Sequence, residues 1–404
     1  MAEWSKTQLS DILVDKGYIR GPFGSALKRG DMKDNGVPVY EQQHAIYDSR
    51  CFRYYIDEQK FVEMKRFQVN TDDLIISCSG TVGKVSIIRD DDPKGIISQA
   101  LLLLRVDKNK ILPLYLKYFF SSRDGYNAIV SRSSGSVQVN IAKRDVIEQI
   151  PLMLPKIETQ RKIVGVLNSI DKKIEENERI NNNLEQQAQA IFKSWFVDFE
   201  PFGGVIPNDW KQTKLGDSCN CILGGTPSRN KSEYWNGSIP WINSGEVNKF
   251  RIIKPSETIT NLGLEKSATK LLPAKTTVLA ITGATLGQVS LLEIDACANQ
   301  SVVGIIPNDN LPYEYIYPLI KQNTAELISH QTGGAQQHIN KQNVENLDII
   351  IPAYTHLMKY QNTVCGIYEM IANNCFENDR LSSVRNTLLP KLMSGELDVS
   401  NIEL

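Results

Sequence analysis

Two stretches of the chain carry one stripe of residues at alternating three- and four-residue steps. The first runs through Ile163, Leu167, Ile170, Ile174, Asn177, Asn181, Leu184, Ala188, Ile191 and Trp195. The second runs through Tyr360, Val364, Ile367, Ile371, Asn374, Asn378, Leu381, Arg385, Leu388 and Leu392. A spacing that averages about 3.5 residues keeps one face of an α-helix turned toward a partner, so both stretches predict long coiled-coil helices. Each seam has two Asn near its middle, which cost stability but fix register and partner. Each could pack only on its own neighbouring domain. Their length and their matched Asn residues favour the helices packing on each other, antiparallel. The pairing is expected to rest on Ile170, Ile174, Asn177, Asn181, Leu184 and Ile191 of one helix. Ile367, Ile371, Asn374, Asn378, Leu381 and Leu388 are expected to serve in the other.

The two seams belong to a longer repeat. Every member of the second stands a constant 197 residues after its counterpart, as with Ile163 and Tyr360. Trp4, Leu9 and Asp11 recur as Trp210, Leu215 and Asp217. SGTVGKVS, from Ser79, returns as GATLGQVS, from Gly283. Gln99 and Gln300 each precede an apolar run, and Gly135, Gln138 and Ile141 recur as Gly333, Gln336 and Ile339. Each half then passes through a proline-marked apolar strand, QIPLMLP or DIIIP, before its long helix. The expected class is α+β: two similar mixed α/β domains separated by two long helices that form an antiparallel coiled coil. The boundaries read as 1–155, a helix at 156–200, a linker at 201–210, a second domain at 211–352, and a helix and tail at 353–404.

Composition narrows the function. With 45 Lys+Arg against 46 Asp+Glu, the net charge is −1. That argues against tight DNA binding by charge alone, though not against local basic patches or partners that supply charge. The seven cysteines include no CxxC, and the four histidines lack metal spacing, so reduced thiols and no metal site are expected. MAEWSKTQLSDIL has no apolar signal core, and no stretch approaches the roughly 18 apolar residues of a membrane span, so a soluble cytoplasmic protein is expected.

Catalytic motifs are missing. An adenine methyltransferase needs an Asn/Asp-Pro-Pro-aromatic loop, and the chain contains no Pro-Pro. SGTVGKVS has a Gly-Lys pair, but Cys78 stands where a phosphate loop needs its first Gly and Val85 where it needs Ser or Thr. A turn between two strands suits both copies, either as a plain hairpin or with its hydroxyls and glycine backbone near DNA. No enzyme activity and no cofactor are expected in this chain.

IFKSWFVDFEPF, from Ile191, resembles the phrase that follows the central helix in specificity subunits of type I restriction-modification systems. LLPKLMSGEL, from Leu388, resembles that family's second-helix ending. GGTPSRNKSEYWNGSIPWI, from Gly224, is similar to the opening of its recognition domains, as is GPFGSALKRG, from Gly21. The first half departs from the pattern, with VPVYEQQHAI in place of an IPWI-like phrase. The resemblance implies two target-recognition domains, each reading half of a bipartite site in double-stranded DNA across a spacer. It implies helices that set the spacer and dock two methylation subunits, and restriction subunits that join the complex. S-adenosylmethionine, ATP and magnesium are then implied for those partners alone. The rival readings are a stand-alone methyltransferase, disfavoured by the missing motifs, and a coiled-coil scaffold that does not bind DNA.

Groove readout needs side chains with paired donors and acceptors, and phosphate contact needs Lys, Arg, hydroxyls or free N–H groups. In the first half the candidates are Ser25, Lys28, Arg29, Gln42, Gln43, His44, Ser79, Thr81, Lys84 and Gln138. In the second they are Thr226, Ser228, Arg229, Lys231, Asn243, Ser244, Thr282, Thr285, Gln336, Gln337 and His338. Any one of them can be an ordinary loop residue. Polar loops at matched places in two divergent halves favour contact for the group, with sequence preference set where the halves differ.

Overall fold

A computed structural model describes residues 4–23, 26–133, 139–329, 331 and 337–402. The chain forms two compact units, one of Met1–Lys172 with Leu381–Leu404 and the other of Lys173–Arg380. Each long helix is therefore shared between the units. The first helix is Ile157–Phe196 and the second is Tyr354–Ser394.

In the first unit a four-stranded antiparallel sheet has the order Leu13–Arg20, Leu101–Val106, Leu74–Ser77, Val85–Ile87. The apolar run at 101–104 lies in one of its two inner strands and is wholly buried because both faces are covered. A smaller sheet joins Tyr55–Ile56, Val37–Tyr40 and Ile96–Ile97. Trp4–Gln8 pairs with Pro151–Pro155 and returns the chain to the start of the first helix.

The second unit repeats this plan. Its main sheet runs Asn220–Leu223, Val302–Ile306, Thr277–Ala280, Val289–Leu291, again antiparallel. A second sheet joins Glu257–Ile259, Trp235–Ile242, Ala296–Ala298 and Leu271–Leu272. Lys211–Lys214 pairs with Asp348–Ile351 ahead of the second helix. Like its counterpart, each main sheet has its hairpin at one edge, and that hairpin is the repeated SGTVGKVS or GATLGQVS segment.

The helices pack on each other and run antiparallel, as the seams predicted. In the second unit Asn177 donates to Asn378 Oδ1 at 2.9 Å, and Asn374 donates to Asn181 Oδ1 at 2.9 Å. Residue numbers rise on one helix as they fall on the other. In the first unit Ile163 and Leu167 share a core with Leu389, Leu392 and Met393. Ile170, Ile174, Leu184, Ile191, Ile367, Asn374, Asn378, Leu381 and Leu388 are half-buried, and Asn177, Asn181 and Ile371 are buried. Beyond Asn181 the deepest residues are Glu185, Ala188, Phe192 and Phe196 rather than Leu184 and Ile191. The physical reason is a change of partner: there the helix also covers the second domain, where Phe196 meets Tyr315 and Trp210 with ring centroids 4.8 and 5.7 Å apart, while Tyr360 of the second helix stands 4.8 Å away. Helix-on-helix and helix-on-domain packing thus occupy successive parts of one helix.

Candidate nucleic-acid interface

In each unit two polar segments close on each other through backbone bonds. In the first, Gly80 N–H donates to the Val139 carbonyl and Ile141 N–H to the Cys78 carbonyl, both at 2.9 Å. In the second, Gly283 N–H donates to Gln337 and Ile339 N–H to Ile281, both at 3.0 Å. The turns match in backbone conformation: Gly80 and Gly83 have φ of 65° and 85°, and Gly283 and Gly287 have 63° and 83°. Left-handed φ is why glycine stands at these places, Gly83 and Gly287 in register with the sequence repeat, Gly80 and Gly283 matched by their hydrogen bonds one residue out of step with it. The segment is therefore a hairpin and something more, since its tip is also held against the next polar loop. This joins Ser79 and Thr81 to the chain entering Ile141, and Thr282 and Thr285 to Gln337 and His338. Ser79 donates its hydroxyl to Asn140 Oδ1 at 2.8 Å, and its N–H is accepted by Gln42 Oε1 at 3.0 Å. Thr285 donates to the Thr282 carbonyl, and Thr282 pairs with His338.

The glycine-rich segment of each half lies against the turn that carries Gln99 or Gln300. A Cβ on Gly21 would stand 1.9 Å from the Ser98 carbonyl oxygen, and one on Gly224 would stand 2.2 Å from that of Asn299. Thr226 donates its hydroxyl to Gln300 Oε1. In the first unit Arg29, Glu41, Tyr54 and Gln99 line an open cleft of about 340 Å³ beside this segment. Lys28 is exposed, its N–H donating to Asp31.

The remaining candidates are placed as follows. Thr81 and Lys84 are exposed, and the Lys84 ammonium stands 4.8 Å from the Tyr126 ring centroid. Gln43 donates to the Cys51 carbonyl. Ser228 gives its carbonyl to the Trp235 indole N–H. Arg229 lies 3.7 Å from the Trp235 ring centroid and donates through Nη2 to Glu257 at 3.0 Å. Lys231 donates to the Tyr234 hydroxyl at 3.0 Å. Asn243 accepts from Gly245 N–H and caps the turn that Ser244 begins. Gln337 and His338 are exposed. Ser25, Gln138 and Gln336 lie outside the described residues.

His44 is a correction. QQHAIY reads as a polar loop but forms a helical turn, Gln42–Tyr47, whose inner side carries His44 at 0 % exposure. Its Nδ1 accepts from Glu41 N–H at 2.7 Å, its Nε2 reaches the Cys51 carbonyl at 3.1 Å, and its ring stacks on Phe52. The side chain has no surface to offer to a groove. The sequence reading missed Asn140 and the pair Gln99 and Gln300. The signal for the Gln pair was their match in the repeat.

Among the described residues no group of His, Cys, Asp and Glu is arranged to hold a metal ion, and no helix is long and apolar enough to cross a membrane.

A twice-built α+β unit, presenting the same backed pair of polar loops on a shared helix pair, defines a repeated recognition protein. The model of the type I restriction modification DNA specificity domain matches residues 1–186 and again residues 207–356, so the chain belongs to that family, whose members are the non-catalytic specificity subunits of restriction-modification complexes. It is 26% identical over 387 residues to the specificity subunit of the type I restriction enzyme HindI of Haemophilus influenzae, covering 78% of this chain and 84% of that one. It is 28% identical over 311 residues to the MjaIX specificity subunit of Methanocaldococcus jannaschii, covering 74% and 72%. The crystal structure of the type I restriction-modification S subunit from M. genitalium shares the fold, with a TM-score of 0.60 at 15% identity over 97% of this chain and 96% of that one.

Proposed function

We propose that this DNA specificity subunit reads a bipartite site in double-stranded DNA, each half met by one of the two target-recognition domains, 1–155 and 211–352. The observation that carries the reading is the pair of polar loops bonded to each other at matched places in both copies, with matching glycine conformations beneath side chains that differ. A constant backbone under variable side chains is what two readers of different half-sites need, since backbone and hydroxyl contacts fix the pose and side chains select bases. The helices at 156–200 and 353–404 would dock two methylation subunits, and restriction subunits would join that core. S-adenosylmethionine, ATP and magnesium would be bound by those partners, and the complex would work in the cytoplasm. With a net charge of −1, the chain would depend on its partners for much of its phosphate contact.

Mapping adenine methylation in cells that carry this chain with its methylation partner tests the proposal. The expected map shows one two-part sequence with a fixed gap. Methylation at a single uninterrupted sequence, or none that depends on the chain, would overturn it.

A further inference from the structure

The second domain is held on the first helix by buried charge as well as by apolar packing. Arg251, whose side chain is 0% exposed, donates through Nη2 to Glu185 Oε2 at 2.8 Å and through Nη1 to the Tyr317 hydroxyl at 3.0 Å. Glu185 also accepts from Lys321 at 2.9 Å and from the Tyr317 hydroxyl at 3.1 Å. The guanidinium carbon lies 5.9 Å from the ring centroid of Tyr368, on the second helix. One arginine of the domain thus meets both helices. Burial alone would raise the Glu185 carboxyl, yet Arg251 and Lys321 hold it down at about 2.

Such a cluster is a poor source of stability, because desolvating the ions offsets most of their attraction. Phe192 and Phe196 already supply the apolar contact between this helix and the domain. What the ions add is direction. Apolar faces tolerate sliding, whereas a carboxylate held by three donors of the domain, beside Gln189 of its own helix, accepts one geometry. The first unit has a partly exposed counterpart at other positions: Asp171 of the first helix accepts from Tyr118 of its domain at 2.7 Å and pairs with Arg385, here supplied by the second helix, at 2.7 Å. Asp171 is not the repeat counterpart of Glu185, so common descent of the repeat does not explain the likeness.

We infer that Glu185 and Arg251 are positioning residues that fix the angle of the second domain on the helix pair, and that they thereby hold the complex to one spacing between its half-sites. The inference rests on the bipartite reading proposed above. Successive base pairs rise about 3.4 Å, so a small swing of the domain is enough to admit a neighbouring spacing.

The test is a methylation map of cells carrying the full chain with its methylation partner, as wild type and as Glu185→Gln. The expected result is that sites with unchanged half-site sequences, and a gap longer or shorter by about one base pair, gain methylation they lack in the wild type. Methylation confined to the original gap, at full or uniformly lowered level, overturns the inference, as does any change in a half-site sequence. If the wild-type map itself shows no two-part site, the bipartite reading fails and the inference fails with it. If Glu185→Gln does not assemble, Tyr317→Phe decides by the same map. It removes one donor to Glu185 and keeps the ring, and a fixed gap there overturns the inference.

Discussion

At His44 both ring nitrogens are committed to the backbone, one accepting from Glu41 and the other donating to Cys51. Burial lowers the pKa of this imidazole, against the smaller opposing effect of its bonds to Glu41 and Cys51. In the unfolded chain the ring titrates near its ordinary value of about 6.5. Between the depressed folded value and that unfolded one, the unfolded state binds more protons. The contribution of His44 is therefore complete above about pH 6.5 and is lost as pH falls below it. His44→Ala should cost about 1–3 kcal/mol at pH 8, because it empties a fully buried site and leaves the Glu41 N–H and the Cys51 carbonyl without their partner. The gap between wild type and variant should narrow as the melts are repeated at lower pH, and a gap that stays constant or widens would refute the assignment. Lys84 poses the opposite case, an exposed cation whose repeat counterpart is Gln288. Lys84→Gln should leave the fold intact and weaken DNA binding by the assembled methyltransferase at every site, with a salt slope shallower by about 1. Fluorescence anisotropy across a salt series measures both. The sequence made Lys84 legible as a surface residue, since the repeat tolerates its replacement. It could not reveal that His44 turns inward or that Arg229 faces Glu257, because each depends on partners distant in the chain.

Among the elements, the long helices were readable because a seam is a local, periodic property. Their antiparallel pairing was suggested by the matched Asn residues, and those residues do meet across the pair. Asn374→Leu should destabilise the protein by about 1–3 kcal/mol, because buried Asn181 keeps its carbonyl oxygen and loses the donor. Replacing both Asn181 and Asn374 with Leu should recover the wild-type melting temperature or exceed it, as apolar pairs do in place of buried polar ones. A double variant less stable than the single one would show that the amides do more than satisfy each other. The shift of deep burial to Glu185, Phe192 and Phe196 was not readable, because a heptad pattern does not announce where a helix gains a second neighbour. The glycine-rich segments divide in the same way. Gly21 has a carbonyl oxygen where its Cβ would go, while Gly30 has nothing within 4 Å. Gly21→Ala should lower the melting temperature far more than Gly30→Ala, and equal effects would mean that the segment lifts freely from the Gln99 turn.

For the whole molecule, the repeat announces two domains before any contact is known, and each unit closes its own core around its own main sheet. The repeat does not show that each unit borrows a piece of both helices, since sequence order separates the borrowed pieces by nearly half the chain. That borrowing constrains the exchange of recognition domains. Residues 211–352 have a core that should fold in a related chain, and replacing them with a relative's second domain should change only one half of the recognised site. The exchanged domain must still meet Glu185, Phe192 and Phe196, which stay behind on the first helix. In this chain Arg251 and Tyr317 face Glu185, while Tyr315 packs on Phe192 and Phe196, with ring centroids 5.7 and 4.8 Å apart. A donor domain with matching residues at those places should therefore give an active hybrid. One lacking the arginine should leave Glu185 buried without its main partner and should assemble poorly, and Glu185→Leu in that hybrid should restore assembly by removing the stranded charge. Methylation maps and pull-down of the methylation partner read the two effects apart. If hybrids with and without the arginine assemble equally well, or if both half-sites change together, the domains are not independent readers seated on shared helices.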